Sequence, residues 1–389
     1  MTALDAADAL VAATRAHHVE PAAEPRVEAL ALAVAANLPV LIWGEPGIGK
    51  SATLQQLAAG LGLPMETVIA SVHEPSDFAG LPIVGDSPAT DGVPMAPPDW
   101  AVRLARTGSG LIFFDELSSA PPAVQAALLR VVLERRVGSL QLPEPIRIVA
   151  AANPPTSAAD GWHLAPPLAN RFVHLQWTHD ARTVARGLAG TWPAVTVPVV
   201  RPERTGTALA KARGALAGFL TARPGLTHHL PADAESRGGA WPSPRTWEMV
   251  LRLLTFHYST RTGKEALALA VAGAVGPGAG LEFASYLEHL DLPDPERVLA
   301  DPAAFELPER GDRQLAFLTA VISAVRADVT RARWEAGWAV LEKAVAAGAP
   351  DVAARAAADL AALREPGWPV PATVDAFVEV LSLSGLLPG

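Results

Sequence analysis

From residue 25 to about 185, short runs of bulky apolar residues alternate with stretches whose apolar positions return every three or four residues. The runs are Val40-Leu41-Ile42-Trp43, Glu66 to Ala70, Leu111-Ile112-Phe113-Phe114, Ile146 to Ala152 and Val173 to Gln176, each with the length and bulk of a buried strand. Between them, Val27 to Ala36, the segment opening at Lys50, Trp100 to Thr107 and Pro121 to Arg135 carry helical spacing, with Val124, Leu128, Val131 and Val132 on one side of the last. Pro39 stops the first helix, and Gly60-Leu61-Gly62-Leu63-Pro64 stops the second. Strands alternating with helices predict an α/β domain: three αβα layers around a parallel sheet.

After Thr178 the alternation stops. Pro193, Pro198 and Pro202 mark a linker, and helical patterns follow at Thr207 to Ala222, Arg245 to Tyr258, Lys264 to Ala274 and Leu281 to Leu290. A break at Pro293, Pro295, Pro302 and Pro308 precedes a last helical region, Asp312 to Leu387. The expected division is an N-terminal helix (1–24), an αβα core (25–185), a linker (186–205), an α-helical lid (206–292) and a helical C-terminal extension (293–389). Within the core, Ser71 to Asp99 is irregular and rich in Pro, Gly and Asp around Phe78-Ala79-Gly80-Leu81-Pro82-Ile83. Such a segment in a compact domain reads as a working loop, with a surface insertion as the alternative. Arg136 to Leu142 reads as a small hairpin.

A length of 389 residues suits two or three domains, and half of the residues are hydrophobic, so burial is not limiting. The net charge of -9 makes nucleic acid an unlikely partner and argues against an anionic membrane surface. Met1 to Glu20 reads as a short amphipathic helix, with Asp5 and Asp8 where a secretory signal carries lysine or arginine. The apolar run Ala29 to Trp43 is interrupted by Asn37 and Pro39, so it reads as a core helix and strand, with no membrane span. Cysteine is absent, which excludes disulfides and thiolate metal sites and suggests a reducing, cytoplasmic setting.

The chemistry gathers at the ends of the apolar runs. Gly44-Glu45-Pro46-Gly47-Ile48-Gly49-Lys50-Ser51 fits the G-x-x-x-x-G-K-[ST] phosphate loop, between a strand and a helix that opens Ala52-Thr53-Leu54. Its glycines let successive N–H groups point at one anion; Lys50 would reach the β- and γ-phosphates, and the Ser51 hydroxyl would take a place on Mg²⁺. Leu111 to Phe114 ends in Asp115-Glu116, suited to hold Mg²⁺ (Asp115) and to polarise an attacking water (Glu116). Asn153, at the end of a neighbouring strand, can feel the γ-phosphate. The pairs His228-His229 and His17-His18 lack a carboxylate at metal-ligand spacing and read as solvated. Trp241, Trp247, Trp334, Trp338 and Trp368 read as packing anchors.

These motifs, in this order, resemble the AAA+ ATPases and, within them, the MoxR-like branch with its insert in helix two. The resemblance spans about residues 25 to 290 and rests on Gly44 to Ser51, Phe113-Phe114-Asp115-Glu116, Ala151-Ala152-Asn153-Pro154, Asn170-Arg171-Phe172 and Trp241 to Trp247. It implies ATP and Mg²⁺ as cofactors, with nucleotide contacts from Gly44, Glu45, Pro46, Gly47, Ile48, Gly49, Lys50, Ser51 and Ala52, and from Asp115, Asn153 and Arg245. Asn153 would be the sensor-one residue, Arg171 the arginine finger offered to a neighbouring subunit, and Arg245 sensor two. Ala152 stands where the family usually carries glutamine. The resemblance further implies a homo-oligomeric, hexameric ring acting as a chaperone-like remodeller or cofactor-insertion motor, with a protein partner that can carry a von Willebrand factor A domain. A DNA-dependent motor of the MCM-like type and a nucleotide-gated scaffold without turnover are the alternatives. Phe78, Leu81 and Ile83 are expected to contact the target.

Overall fold

The structure is a computed structural model that describes residues 24–84, 92–154, 162–178, 180–190, 195–260, 262–375 and 377. The helix expected over Met1 to Glu20 and the His17-His18 pair lie outside the described residues. Among those described, nine strands form: β1 (Val40–Trp43), β2 (Met65–Ile69), β3 (Leu81–Pro82), β4 (Met95–Ala96), β5 (Gly110–Asp115), β6 (Arg136–Val137), β7 (Leu140–Gln141), β8 (Ile146–Ala152) and β9 (Val173–Gln176). Five of them make one parallel sheet in the order β2-β5-β8-β1-β9, and the other four pair as the hairpins β3-β4 and β6-β7. Parallel neighbours run in one direction, so β1, β5 and β8 deliver Gly44, Glu116 and Asn153 to the same edge.

Alternation along each strand feeds two cores. Val40 and Ile42 of β1 face the helices Pro25–Ala35 and Lys50–Gly60, together with Phe113, Val149, Ala151, Val173 and Leu175. Leu41, Ile112, Phe114, Ile148 and Ala150 face the other way, onto Trp100 and Leu104 of helix Asp99–Thr107 and Val124 and Leu128 of helix Pro122–Glu134. The central strands β1, β5 and β8 are buried throughout except at Trp43, Asp115 and Arg147, which is why these runs carry no polar alternation.

The first core does not end with the α/β part. Trp247, Val250, Leu253 and Leu254 of helix Pro244–Ser259, Ala270 and Val271 of helix Lys264–Val275, and Phe283 of helix Pro277–Glu288 continue it without a break. Polar ties run alongside: the Arg252 guanidinium donates to the Ala36 carbonyl at 2.7 Å, and the Gly263 N–H donates to Glu28 Oε1 at 2.7 Å. Helix Lys264–Val275 lies so close to β9 that a Cβ on Gly273 would come within 2.2 Å of the His174 carbonyl oxygen. Two helices differ from the sequence reading. Ala181–Leu188 extends the alternation one element further, capped by Asp180, whose carboxylate accepts from the N–H groups of Arg182 and Thr183. The helix read from Leu281 begins at Pro277, since proline in a first turn needs no N–H partner.

The irregular segment after Ser71 is anchored at its start. Phe78 is 1% exposed and meets the Phe114 ring edge-on at 6.1 Å, with Trp100 beside it. Its expected role in target contact is therefore corrected: the ring is spent on the core, because Phe114 and Trp100 offer it a closed aromatic site. Leu81 and Ile83 stay open, at 62% and 53% exposure. The two hairpins meet, with the Gly138 N–H donating to the Phe78 carbonyl at 3.1 Å and the Ser139 N–H to the Met95 carbonyl at 2.9 Å.

A third core joins helices Gly311–Ala327, Arg331–Ala346 and Pro350–Ala361 through Phe317, Val321, Trp334, Trp338 and Leu360. Helix Thr205–Ala222 lies along Gly311–Ala327 almost backbone to backbone. A Cβ on Gly214 would stand 2.2 Å from the Ala316 carbonyl oxygen, and one on Gly218 would stand 2.8 Å from the Ala316 side chain. Among the described residues no helix is long and apolar enough to cross a membrane. Gly214→Ala is expected to lower the unfolding free energy by about 1–3 kcal/mol, the usual cost of overpacking. Gly206→Ala, in the same helix with open space around it, should be neutral or stabilising. Thermal melts of both variants measure the contrast, and equal effects would refute the close seam.

Candidate functional site

The phosphate-loop segment leaves β1 with the Gly44 N–H donating to the Ala152 carbonyl at 3.1 Å, which ties it to the end of β8. A side chain at Gly44 has no room, since its Cβ would stand 2.7 Å from the Trp177 carbonyl oxygen. Gly47 and Gly49 adopt φ of 81° and 88°, left-handed values that glycine takes without strain, and Gly49 opens helix Lys50–Gly60. Space around both is open. The loop thus curls around the start of a helix whose first N–H groups have no intrahelical partner.

Lys50 folds back into this curl and is 8% exposed. Its ammonium donates to the carbonyls of Gly44 and Glu45, the latter at 3.0 Å, and to Asn153 Oδ1 at 3.3 Å. Burial holds it below the usual lysine range, against the pull of the Asp115 carboxylate. Burial lifts the Asp115 carboxyl, opposed by the Glu116 N–H, which donates to its Oδ1 at 2.9 Å, and by Lys50. Glu116 sits at φ 55°, a left-handed conformation that a non-glycine residue adopts under local strain. Its Oε2 accepts a hydrogen bond from the Ser71 hydroxyl. Asn153 is steadied by its N–H, which donates to Ser118 Oγ at 3.0 Å.

Lys50, Asp115, Glu116 and Asn153 therefore gather at one edge, with Ser51 exposed at the start of the helix. A concave run of backbone N–H groups and a buried ammonium held only by neutral oxygens fits a phosphate. Ser51 and Asp115 supply the hard oxygens that Mg²⁺ takes when phosphates and water complete its shell. Among the described residues no cluster of three or more His, Cys, Asp or Glu that could hold a metal ion forms.

Arg171 and Arg245 form a second group. Asn170, 2% exposed, accepts at Oδ1 from the Ser243 hydroxyl at 2.9 Å and from Arg245 Nη1 at 3.3 Å, and donates to the Trp241 carbonyl at 3.3 Å. Ser243 caps helix Pro244–Ser259 and so sets the direction of Arg245. Arg171 donates to the Pro167 carbonyl, and burial, then the like charge of Arg245, works against its protonated form. Among the described residues neither arginine has a carboxylate partner. The sequence reading did not single out Ser71, Ser118 or His174, and quoted Asn170 only as part of a motif, without a role. For Ser71 the readable signal was its place just after β2, the strand that pairs with β5 up to Asp115.

His174 lies between the two groups. Its Nδ1 accepts from the Trp43 indole at 2.9 Å, its Nε2 faces the Ala169 carbonyl at 2.9 Å, and the Trp43 and His174 rings stack at 6.1 Å. Both line a cavity of about 600 Å³ with Pro154, Leu175, Leu269 and Gly273.

Residues 39–172 match the AAA domain (dynein-related subfamily). The protein MoxR of Methylorubrum extorquens is 34% identical over 114 residues, covering 29% of this chain and 32% of that protein. The C4-dicarboxylate transport transcriptional regulatory protein DctD of Rhizobium meliloti is 33% identical over 135 residues, covering 30% of this chain and 26% of its own. Midasin of Giardia intestinalis is 27% identical over 153 residues, 38% of this chain and 3% of its own. The chain thus spans a third or less of the length of each of these relatives.

Burial of a neutral imidazole has a measurable sign. An unfolded histidine titrates near 6.5, whereas folded His174 is pushed down to about 4 by burial. Below the higher value the unfolded chain binds a proton that the folded chain refuses, so this contribution is complete above it and fades as pH falls toward the lower one. Relative to a His174→Gln variant, the wild type is expected to lose about 3 kcal/mol of unfolding free energy between pH 7 and pH 4. Urea melts at the two pH values measure this, and a constant difference would show that His174 is not buried as a neutral ring.

Proposed function

This chain belongs to the AAA+ ATPases of the MoxR-like type, and from that premise we propose that it is an ATP-hydrolysing ring motor that remodels a protein partner or inserts its cofactor. The observation that carries the reading is the Lys50 ammonium, buried among the Gly44, Glu45 and Asn153 oxygens beside Asp115. Lys50 exchanges those carbonyls for β- and γ-phosphate oxygens, while the N–H groups of Gly47 to Ala52 cradle the rest of the chain of phosphates. Ser51 and Asp115 would hold Mg²⁺, which when bound would neutralise charge on the phosphates. Glu116 leaves Ser71 and polarises the attacking water; Asn153 reports the γ-phosphate to Ser118 and to the strand end behind it.

Asn170 holds Arg245 on its amide oxygen and is followed at once by Arg171, so we assign both arginines to one phosphate, that of the neighbouring subunit. Two guanidiniums that repel each other without a carboxylate between them are stabilised when a polyanion arrives. Turnover then needs a neighbour, which suits a homo-oligomeric ring, taken as hexameric. Residues 25–185 act as the motor, 206–292 as the lid and 293–389 as an extension fixed to the lid. Leu81 and Ile83 supply the apolar contact with the partner, for which a protein bearing a von Willebrand factor A domain is the first to try.

ATP turnover per subunit is expected to climb with protein concentration, and Arg171→Ala to cost about 10³- to 10⁵-fold. Glu116→Gln should keep nucleotide binding while losing about 10²- to 10⁴-fold in turnover. A flat, appreciable rate across concentrations would mean self-contained sites and would remove Arg171 from its role. Alanine at both Leu81 and Ile83 is expected to abolish stimulation by the partner and leave unstimulated turnover within about twofold, the size of a surface change remote from the chemistry. Undiminished stimulation would move the contact elsewhere.

A further inference from the structure

The Lys50 group and the Arg171 group belong to different catalytic sites in the ring reading, yet they are wired together within one chain. Trp43 is the last residue of β1, and the phosphate loop begins at the next residue. Its indole N–H can only donate, so His174 Nδ1 at 2.9 Å accepts. The Ala169 carbonyl can only accept, so His174 Nε2 at 2.9 Å carries the hydrogen. The two partners fix one tautomer and one ring orientation, and the parallel stack with Trp43, at an interplanar angle of 15°, fixes the plane.

The far end of this relay is as specific as the near end. Ala169 closes the short helix Pro166–Ala169, and the next two residues are Asn170, which holds Arg245, and Arg171. Helix Lys264–Val275 presses Gly273 onto the His174 backbone, so the ring cannot escape by moving its strand outward. An apolar residue would fill this 7% exposed position without the cost of desolvating two ring nitrogens. What the imidazole adds is a donor and an acceptor on opposite sides, able to couple two segments 131 and 5 residues away in the chain.

We propose that His174 is a positioning residue through which a subunit's own phosphate loop sets the placement of Arg171 and Arg245 toward its neighbour. This rests on the shared-site reading above. When Lys50 gives up the Gly44 carbonyl for phosphate, the end of β1 re-forms its bonds, and Trp43 shifts with it. His174 passes that shift to the Ala169 carbonyl and so to the arginines. Occupied loops thereby aim their arginines, and empty loops do not.

The test mixes two subunits that are each inactive alone. One carries Glu116→Gln and offers intact arginines; the other carries Arg171→Ala and offers an intact Glu116. Turnover in the mixture arises where the second subunit meets the first. Adding His174→Leu to the Glu116→Gln subunit is expected to lower kcat about 10-fold, within the 5- to 150-fold range of ordinary coupling, with KM for ATP unchanged. Adding it to the Arg171→Ala subunit is expected to change kcat by less than about twofold, since the Arg245 left there faces a site already silenced by the missing Arg171. His174→Gln in the first subunit, whose amide can accept from Trp43 and donate to Ala169, should restore most of the loss. If His174→Leu fails to fold, Trp43→Phe breaks the first bond alone and should show the same asymmetry. Equal losses in either subunit, or none in both, overturn the proposal. A mixture of the two parent variants that stays silent while the wild type turns over overturns the shared-site reading itself, and this inference with it.

Discussion

One constraint governs the rest of the molecule: an ammonium has to be kept ready, half out of water, without a carboxylate bonded to it. A direct ion pair would satisfy Lys50 and leave nothing for an incoming phosphate. Solvent would leave it mobile. The chain instead gives it backbone carbonyls and an amide oxygen, with Asp115 near enough to steady the charge. Only the convergent ends of parallel strands can bring carbonyl, amide and carboxylate so close, and that requires the sheet, its order and its two cores. The left-handed Glu116 belongs to the same demand. The chain must turn at once after Asp115 so that Ser118 can hold Asn153.

Much of the fold was legible because its central strands are buried on both faces and read as near-continuous apolar runs. The five runs named from the sequence are the five strands of the sheet, and the phosphate loop and Asp115-Glu116 stand where strand ends had to put them. What stayed hidden depends on pairs distant in sequence. Phe78 looked like an exposed anchor because nothing local announces that Phe114, 36 positions on, and Trp100 will enclose it. His174 drew no reading of its own, since its partner Trp43 lies 131 residues earlier. Helix Ala181–Leu188 is too short to show a period, and its one clear sign was Asp180 at the cap position.

The site residues divide in the same way. Lys50, Ser51 and Asp115 were readable from spacing alone, because the loop's glycines and the apolar strand fix where they must sit. That Asn170 holds Arg245 close to Arg171 was not readable, because the contact crosses from β9's approach to the cap of helix Pro244–Ser259. Holding one arginine on the neutral amide that precedes the other is a tertiary decision. It turns two separate motif residues into one electropositive face.

The seam between helices Thr205–Ala222 and Gly311–Ala327 bears on how force travels. At Gly214 and Gly218 there are no side chains to slip, and the two backbones can separate only by opening a gap that nothing fills. A joint of that kind transmits rotation without play. Any tilt of the first helix is therefore carried whole into the bundle of Trp334, Trp338 and Leu360, and the displacement grows with distance from the axis. In mechanical terms the helices from Gly311 to Ala361 are a lever arm, and its length scales the displacement.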